Sequence, residues 1–271
     1  MLDNKDLHAM LETAVVAARL AGQHAMEEIN VLRITAKSDS ELVTQADAQC
    51  QKIIIDNIMQ NYPNHGIVAE EGKDNKLFKQ PPRGDNDLWW VIDPIDGTNN
   101  YSQKILNFVV SIGLIHQGKP VLGVIYDPAT DSMFTAAGAA PPQLNTVRIQ
   151  ANDNDINIYQ TIGLESLFRD GVPPWITKLQ TMLRCRSLGT AAQHLAYVAK
   201  GSFVAAIMNC PKLWDIAAGA FLVEAAGAVV TDFQGKSLWP IDMNNYNGQT
   251  IPVLAANKRI HKKLIEIINS K

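Results

Sequence analysis

Residues 89–101 read WWVIDPIDGTNNY and combine two carboxylates with a turn-forming pair. The apolar start of this stretch favours a strand, and Asp93 follows it. Pro94 disfavours a helical backbone at the preceding residue, so Asp93 and Asp96 are expected to diverge around one point rather than stack on a helix face. The Gly97–Thr98 pair then begins a segment whose N–H groups can hold an anion. Hard oxygen ligands beside an anion site indicate divalent-metal phosphate chemistry.

Further carboxylates occur at two other points of the chain. Glu70 and Glu71 follow a short apolar run at 66–69, and Asp215 lies at the start of a small-residue helix expected over 213–227. Carboxylates, waters and substrate phosphates are the usual ligands of Mg²⁺. The histidines and cysteines are scattered along the chain, which does not indicate a zinc site. We therefore predict that acidic residues bind Mg²⁺.

Three segments resemble the signature segments of the inositol monophosphatase family. They are DPIDGTNNY at 93–101, AEEG at 69–72 and WDIAAGAFLVEAAG at 214–227, in the family's order and spacing. The resemblance extends to Asp47 in LVTQAD and to GTAAQHLAYVAKG at 189–201, and it covers most of residues 35–260. Members of this family are metal-dependent, lithium-sensitive sugar-phosphate phosphatases. The resemblance implies a Mg²⁺-dependent phosphomonoesterase that Li⁺ inhibits.

The family's ligand pattern, carried over residue by residue, implies two or three Mg²⁺ per subunit. Glu70, Asp93 and the backbone carbonyl of Ile95 would bind the first cation. Asp93, Asp96 and Asp215 would bind the second, so that Asp93 bridges the two. A pair of cations about 3.5–4 Å apart neutralises the phosphate, activates a water and stabilises the leaving alkoxide.

The resemblance also implies how the attacking water is activated. Thr98 and Asp47 would position and deprotonate it, and Glu70 would contact the same water through the first metal. A hydroxyl acts as a base only when a carboxylate polarises it, which gives Asp47 its role. The amides of Gly97 and Thr98 would hold the phosphate oxygens. Glu71, on the opposite side of an extended segment, would support the site indirectly.

Substrate contacts are implied at three further positions. Ala191 and Ala192 correspond to positions that flank the sugar in inositol phosphatases, where small side chains leave room for the ring. Met208 stands seven residues before Asp215, where inositol-specific members carry a glutamate that accepts a substrate hydroxyl. A thioether cannot replace that carboxylate, which weakens the preference for inositol. Lys37 is expected either on a mobile loop that closes over the metals or as an ordinary surface lysine.

A small phosphorylated polyol or sugar such as inositol 1-phosphate is the primary expectation for the substrate. Related families leave 3′-phosphoadenosine 5′-phosphate, fructose 1,6-bisphosphate and histidinol phosphate open. An alternative of another class is a regulatory binding protein that keeps the fold, since some bacterial relatives act through RNA-transcription partners. The complete ligand set favours the enzyme, and the resemblance implies a homodimer.

The elements that must position these residues follow from periodicity. Helical spacing predicts amphipathic helices over 5–28 and 45–60, the second with Asp47 in its first turn. Alternating runs with short turns predict an antiparallel meander over 107–136, followed by a loop at 137–147. Strands and helices then alternate: strands at 157–164, 203–208, 229–231 and 252–256, and helices at 174–183, 191–200, 213–227 and 258–268.

This pattern alone indicates a mixed α/β class, and the resemblance implies the layered αβαβα sugar-phosphatase fold. We expect one compact unit with an amino-terminal half, 1–145, that carries the metal and phosphate motifs. The carboxy-terminal half, 146–271, completes the site. Gly219 inside a helix costs roughly 1 kcal/mol relative to alanine, so it is predicted to mark a close packing contact.

Composition bounds the remaining classes of function. A formal net charge of −3 gives no overall attraction to nucleic acid or acidic membranes. Cys50, Cys185 and Cys210 are an odd, widely separated set, which favours thiols in a reducing compartment. The amino terminus lacks the pattern of a signal peptide, and no apolar run approaches the ~20 residues that span a bilayer. We expect a cytoplasmic protein without nucleic-acid or membrane partners.

Overall fold

The computed structural model describes residues 3–31, 34–36, 42–73, 76–84, 86–168 and 171–270, and the predicted Lys37 loop lies outside these ranges. The helices are Asn4–Glu28 (α1), Gln45–Asn61 (α2), Thr98–Ser102 (α3), Pro174–Gln180 (α4), Ala191–Ala199 (α5), Leu213–Ala225 (α6) and His261–Ile268 (α7). The strands in the first part of the chain are Ile34–Ala36 (β1), Leu42–Thr44 (β2), Gly66–Ala69 (β3), Phe78–Gln80 (β4), Leu88–Asp96 (β5), Val109–His116 (β6), Lys119–Asp127 (β7), Ser132–Ala137 (β8), Gln143–Leu144 (β9) and Val147–Arg148 (β10). Those that follow are Thr161–Leu164 (β11), Arg184–Arg186 (β12), Ala205–Met208 (β13), Val229–Thr231 (β14) and Val253–Ala256 (β15).

Two large sheets organise the described part of the chain, and β1 and β2 pair separately as a small antiparallel sheet. The first sheet has the order β10-β9-β8-β7-β6-β5-β3-β4, and the second has the order β12-β11-β13-β15-β14. Helices α1 and α2 pack on one face of the first sheet, and α5 and α6 lie between the two sheets. Helices α4 and α7 cover the outer face of the second sheet. This layering confirms the predicted αβαβα fold.

Strand β5 is buried along its whole length because helices cover both faces of the first sheet. Trp90 and Ile92 join the core beneath α1 and α2. Trp89 and Val91 point the other way and pack with residues of α6. A strand covered on both faces has a continuous apolar sequence. Because β5 is packed on both faces, it holds the carboxylates at its end rigidly.

Close approach of α5 and α6 depends on Gly219. A Cβ at this position would lie 2.6 Å from the Cβ of Leu195 in α5. The predicted close packing contact is therefore confirmed. No helix among the described residues combines the length and the apolarity needed to cross a bilayer.

Two predicted boundaries differ because asparagine side chains form local turns. The strand expected over 157–164 begins at Thr161, since the Asn157 side chain accepts a hydrogen bond from the Tyr159 N–H at 2.9 Å. The helix expected over 258–268 begins at His261, since the Asn257 side chain accepts from the N–H of Arg259 at 3.0 Å.

The loop expected at 137–147 is also wrong in part. Its second half contains the short antiparallel pair β9 and β10, which extends the edge of the first sheet. Asn145 and Thr146 form the connecting turn with positive φ angles of 46° and 70°, the signature of a tight hairpin. The first sheet thus runs to Arg148, and a division of the chain near residue 145 stays a prediction.

Candidate active site

Glu70 and Asp93 meet at one edge of the first sheet. Strands β3 and β5 are parallel, with Ala69 paired to Ile92, so the next residues along the two strands are neighbours. The Glu70 N–H donates to the Ile92 carbonyl at 3.3 Å and continues the ladder. The sheet register therefore brings together two carboxylates that lie far apart in sequence.

Strand β5 runs three residues beyond the end expected at Asp93, and an irregularity separates Asp93 from Asp96 in its pairing with β6. Pro94 has no N–H to donate, which favours such a bulge. Asp93 Oδ1 accepts from the Ile95 N–H at 3.0 Å. Asp93 is 2 % exposed and Asp96 is 8 % exposed, so the bulge presents both carboxylates from a buried backbone.

The start of α5 holds Asp96. The Thr190 hydroxyl donates to Asp96 Oδ2 at 2.7 Å, and the Ala192 N–H donates to the same oxygen at 2.6 Å. The Ala191 N–H contacts Oδ1 at 3.3 Å. These groups are the N-cap and first-turn donors of a helix, which favour a negative charge. Asp96 thereby ties the first sheet to the layer between the sheets.

Asp215 reaches the same cluster from the first turn of α6. Its Oδ2 accepts from the Lys212 N–H at 2.6 Å, which closes the start of the helix. Its carboxyl lies close enough to Asp93 for the two charges to repel each other.

Burial and mutual repulsion favour protonation of this carboxylate cluster. Burial is the main cause that raises the pKa of Asp93 well above its usual range, and repulsion from neighbouring carboxylates adds to it. Burial raises the pKa of Asp96 to about 6, although the hydrogen bonds from α5 oppose the shift. Burial raises the pKa of Asp215 to about 7, with repulsion from Asp96 as the next cause. Concentrated negative charge away from water is stabilised by a bound cation.

The donor set fits Mg²⁺ in chemistry, because it consists of carboxylate and carbonyl oxygens. Among the described residues, however, no three His, Cys, Asp or Glu side chains are close enough together to coordinate one metal ion. The Ile95 carbonyl accepts from the Thr98 hydroxyl at 3.0 Å and retains a second lone pair.

Asp47 and Thr98, the pair that the resemblance implies, lie in contact. Asp47 is the third residue of α2 and is fully buried, and its Oδ2 accepts from the N–H of Thr44 at 2.8 Å. The Thr98 hydroxyl lies 3.3 Å from Asp47 Oδ1. Burial raises the pKa of Asp47 to about 6, against the lowering effect of Thr44. Such a carboxylate can accept a proton near neutral pH.

Gly97 precedes α3 with a φ of 102°, a conformation that side chains oppose. A Cβ at this position would also lie 3.2 Å from the Asn107 carbonyl oxygen. Asn100 of α3 donates to the carbonyls of Asn107 and Leu188, each at 2.7 Å, and so fixes α3 against the segment before α5. The Gly97–Thr98 backbone is thus held in place beside Asp96.

Glu71 is anchored through its backbone. The Gln51 side chain of α2 donates to the Glu71 carbonyl at 2.6 Å and accepts from its N–H at 2.8 Å. This double contact fixes the segment after β3 independently of the Glu71 carboxylate. Sequence reasoning missed Gln51, since nothing local marks a glutamine that bonds to a backbone twenty residues away.

Thr190 was also missed, although a signal for it exists. The run TAAQ has the form of an N-cap followed three residues later by glutamine, and the Thr190 hydroxyl accepts from the Gln193 N–H at 3.0 Å. The pattern predicts a helix start. The Thr190 hydroxyl also binds Asp96, and this contact could not be predicted because it depends on packing between distant segments.

The three predicted substrate positions differ in exposure. Ala191 is partly exposed and lines a cavity of about 610 Å³ beside Asp215. Met208 lines the same cavity but is only 2 % exposed. Ala192 is fully buried, so its backbone N–H, bound to Asp96, is its contact with the site. A second cavity of about 720 Å³, lined by Lys76 among others, opens on the other side of Asp215.

Comparison with known proteins gives consistent matches along the chain. The family model described as the inositol monophosphatase family matches residues 6–271. The Nus factor SuhB of Vibrio cholerae is 35% identical over 240 residues, which are 84% of this chain and 87% of the relative. The Nus factor SuhB of Salmonella typhimurium is 34% identical over 269 residues, 96% of this chain and 95% of the relative.

Solved structures show the same architecture. The extragenic suppressor protein suhB from Bartonella henselae superposes with a TM-score of 0.86 at 29% identity and covers 97% of this chain and 99% of its own. The inositol monophosphatase from Anabaena superposes with a TM-score of 0.80 at 30% identity and covers 97% and 96% of the two chains.

Proposed function

This chain belongs to the inositol monophosphatase family, and from that premise we propose that it is a Mg²⁺-dependent phosphomonoesterase of small phosphorylated alcohols, with inositol 1-phosphate as the reference substrate. One observation supports the proposal above others. Three buried or half-buried aspartates, Asp47, Asp96 and Asp215, converge with Glu70 on the buried Asp93, and their charges repel it. Bound divalent cations would offset this repulsion, which the fold alone does not relieve.

Glu70, Asp93 and the Ile95 carbonyl are the proposed ligands of one Mg²⁺, and Asp93, Asp96 and Asp215 those of a second. When bound, the cations would neutralise the phosphate and lower the pKa of a coordinated water. The protein's own residues fix this arrangement. Backbone N–H groups hold Asp93 and Asp215 through one oxygen each and Asp96 through both of its oxygens, and each carboxylate keeps lone pairs for a metal.

Thr98 and Asp47 are the proposed proton-transfer pair. The Thr98 oxygen accepts a proton from the attacking water while its own hydroxyl proton passes to Asp47 Oδ1, 3.3 Å away. The Thr44 N–H holds the other Asp47 oxygen, which orients the carboxylate toward Thr98. The Gly97 and Thr98 amides are the proposed donors to the phosphate oxygens.

The test is phosphate release from a panel of monoesters in Mg²⁺ and in EDTA. The panel comprises inositol 1-phosphate, fructose 1,6-bisphosphate, 3′-phosphoadenosine 5′-phosphate, histidinol phosphate and glycerol 2-phosphate. We expect release that requires Mg²⁺ and that Li⁺ inhibits in an uncompetitive or mixed manner toward substrate. No release from any of these esters at saturating Mg²⁺ would contradict the proposal.

A regulatory role is the second candidate, because the curated relatives carry the name Nus factor. The two roles separate in a cell whose own copy of the gene is replaced by the Asp93→Asn form. If the Asp93→Asn form rescues the phenotype of a gene deletion, the protein has a role that does not require turnover. If the Asp93→Asn form accumulates normally but fails to rescue the phenotype, the phosphatase activity is required.

A further inference from the structure

The cavity of about 610 Å³ beside Asp215 lies where the alcohol part of a bound phosphate ester would extend. Asp215, Thr190 and Ala191 form its inner end, next to the carboxylate cluster. The cavity then runs between the carboxyl ends of β11 and β13 and residues 171–173, which precede α4. Its size exceeds what a single six-membered ring requires, so its walls can select among alcohols.

Much of the outer wall is apolar. It is formed by Leu167, Phe168, Val172, Pro173, Pro174 and Met208. Leu167 is 60 % exposed and Val172 is 63 % exposed, so the wall presents large apolar side chains to solvent. A concave apolar wall with a few polar groups is typical of a site that binds a ligand with an apolar face.

Glu165 brings a carboxylate to this wall beside Met208. Strands β11 and β13 are parallel with Leu164 paired to Ile207, so Glu165 and Met208 are the next pair along the register. Glu165 Oε2 accepts from the Asn209 N–H at 3.1 Å, which fixes the half-buried carboxylate at the lining of the cavity. The carboxylate that position 208 lacks is thus available from the neighbouring strand.

We propose that this cavity is the leaving-group site, that it takes phosphate esters of cyclic alcohols with an apolar face, and that Glu165 accepts a hydroxyl adjacent to the ester. The inference rests on the proposed phosphatase function and refines its substrate class. A cyclitol with hydroxyls around its whole ring would place several of them against the apolar wall without partners. A ring with one hydroxyl would satisfy Glu165 and cover the wall.

Three esters with the same ring size test the inference: cyclohexyl phosphate, trans-2-hydroxycyclohexyl phosphate and inositol 1-phosphate. Glycerol 2-phosphate reports basal turnover. We expect the highest kcat/KM for the ester with one hydroxyl and the lowest of the three for inositol 1-phosphate. Mg²⁺-dependent release with inositol 1-phosphate preferred would overturn the inference while the proposed function stands. Absence of release from all four esters would overturn both.

Substitutions of residues in the cavity wall test which side chains contact the alcohol part of the substrate. Glu165→Gln keeps an acceptor for the Asn209 N–H but directs an amide into the cavity, so it should lower kcat/KM for the hydroxylated ester about tenfold and change that for cyclohexyl phosphate less than twofold. An equal loss on both esters would contradict the role of Glu165.

Leu167→Ser combined with Val172→Ser should reduce the preference for cyclohexyl phosphate over inositol 1-phosphate about fivefold. Ile158→Ser is the control, since Ile158 is 59 % exposed and apolar but is not part of this wall. An unchanged ratio in the double variant, or an equal change in the control, would contradict an apolar-face contact.

Discussion

Each aspartate of the candidate site accepts a hydrogen bond from a backbone N–H close in sequence or at the start of a helix. The donors are Ile95 to Asp93, Ala192 to Asp96, Lys212 to Asp215 and Thr44 to Asp47. Such contacts fix the orientation of a carboxylate before any ligand arrives, so less conformational freedom is lost on binding. Residue-level function here depends on main-chain geometry as much as on residue type.

Thr98→Val is expected to lower kcat about 10²-fold, because valine keeps the shape of threonine but can neither accept a proton from water nor pass one to Asp47. KM should change little. Thr98→Ser restores the hydroxyl and should recover most of the rate. Steady-state kinetics of the two variants decide the matter, and a serine variant as slow as the valine variant would count against the proton-transfer pair.

Asp215→Asn is expected to raise the Mg²⁺ concentration for half-maximal activity by about tenfold or more. The asparagine still accepts from the Lys212 N–H, so the start of α6 should persist while a charged metal ligand is lost. Asp155→Asn is the matched control, because Asp155 is on the surface, where it pairs with Lys263. Superimposable Mg²⁺ titrations of wild type and Asp215→Asn would rule out the assignment.

At the scale of elements, local periodicity predicts where most helices and strands occur. Helices α1 and α2 agree with prediction within one residue at each end, because an apolar stripe and a clear stop define each of them. Strands β4 and β12 and helix α3 were not predicted. Each is only three to five residues long and follows from pairing or packing with distant segments.

The residues of the candidate site were likewise predictable only in part. The motif aspartates could be identified from spacing in the sequence. The contacts that orient them could not, because Thr190 meets Asp96 across 94 positions and Asn100 reaches Leu188 across 88. Glu165 becomes visible only when the register of β11 and β13 is known.

Helix α5 gives a prediction about pH through His194, whose ring lies against Gly163 of β11. Its Nε2 accepts from the Leu188 N–H at 3.0 Å, and burial lowers the pKa of His194 to about 4. The unfolded chain therefore binds one more proton than the fold between pH 6.5 and 4. Stability from this residue is present above the unfolded pKa of about 6.5 and is lost as the pH falls toward 4.

His194→Gln should accordingly reduce the loss of unfolding free energy between pH 7 and 5 by roughly 2 kcal/mol, whatever its effect on absolute stability. His8→Gln serves as the control, since His8 is exposed on α1. Urea denaturation at a series of pH values measures the difference. Parallel pH profiles for wild type and His194→Gln would show that the ring is not held neutral.

At the scale of the whole molecule, the candidate site lies where several layers meet. The first sheet supplies Glu70, Asp93 and Asp96, and helix α2 supplies Asp47 from one face of that sheet. Helices α5 and α6, from the layer between the sheets, close the cluster at their amino ends. The second sheet contributes the cavity wall with Glu165 and Met208. The residues of the proposed chemistry thus lie on the first sheet and the helices packed against it, and the proposed specificity residues Glu165 and Met208 lie at the second sheet.

The central claim is that one bridging carboxylate, Asp93, holds both cations, and the most direct measurement is Mg²⁺-dependent phosphate release by Asp93→Asn. The asparagine keeps an acceptor for the Ile95 N–H, and circular dichroism should confirm an intact fold. Glu71→Gln is the control, since Gln51 holds the Glu71 backbone independently of its carboxylate. We predict that Asp93→Asn abolishes turnover while Glu71→Gln retains measurable activity. Wild-type turnover by Asp93→Asn at saturating Mg²⁺ would contradict the shared-metal account.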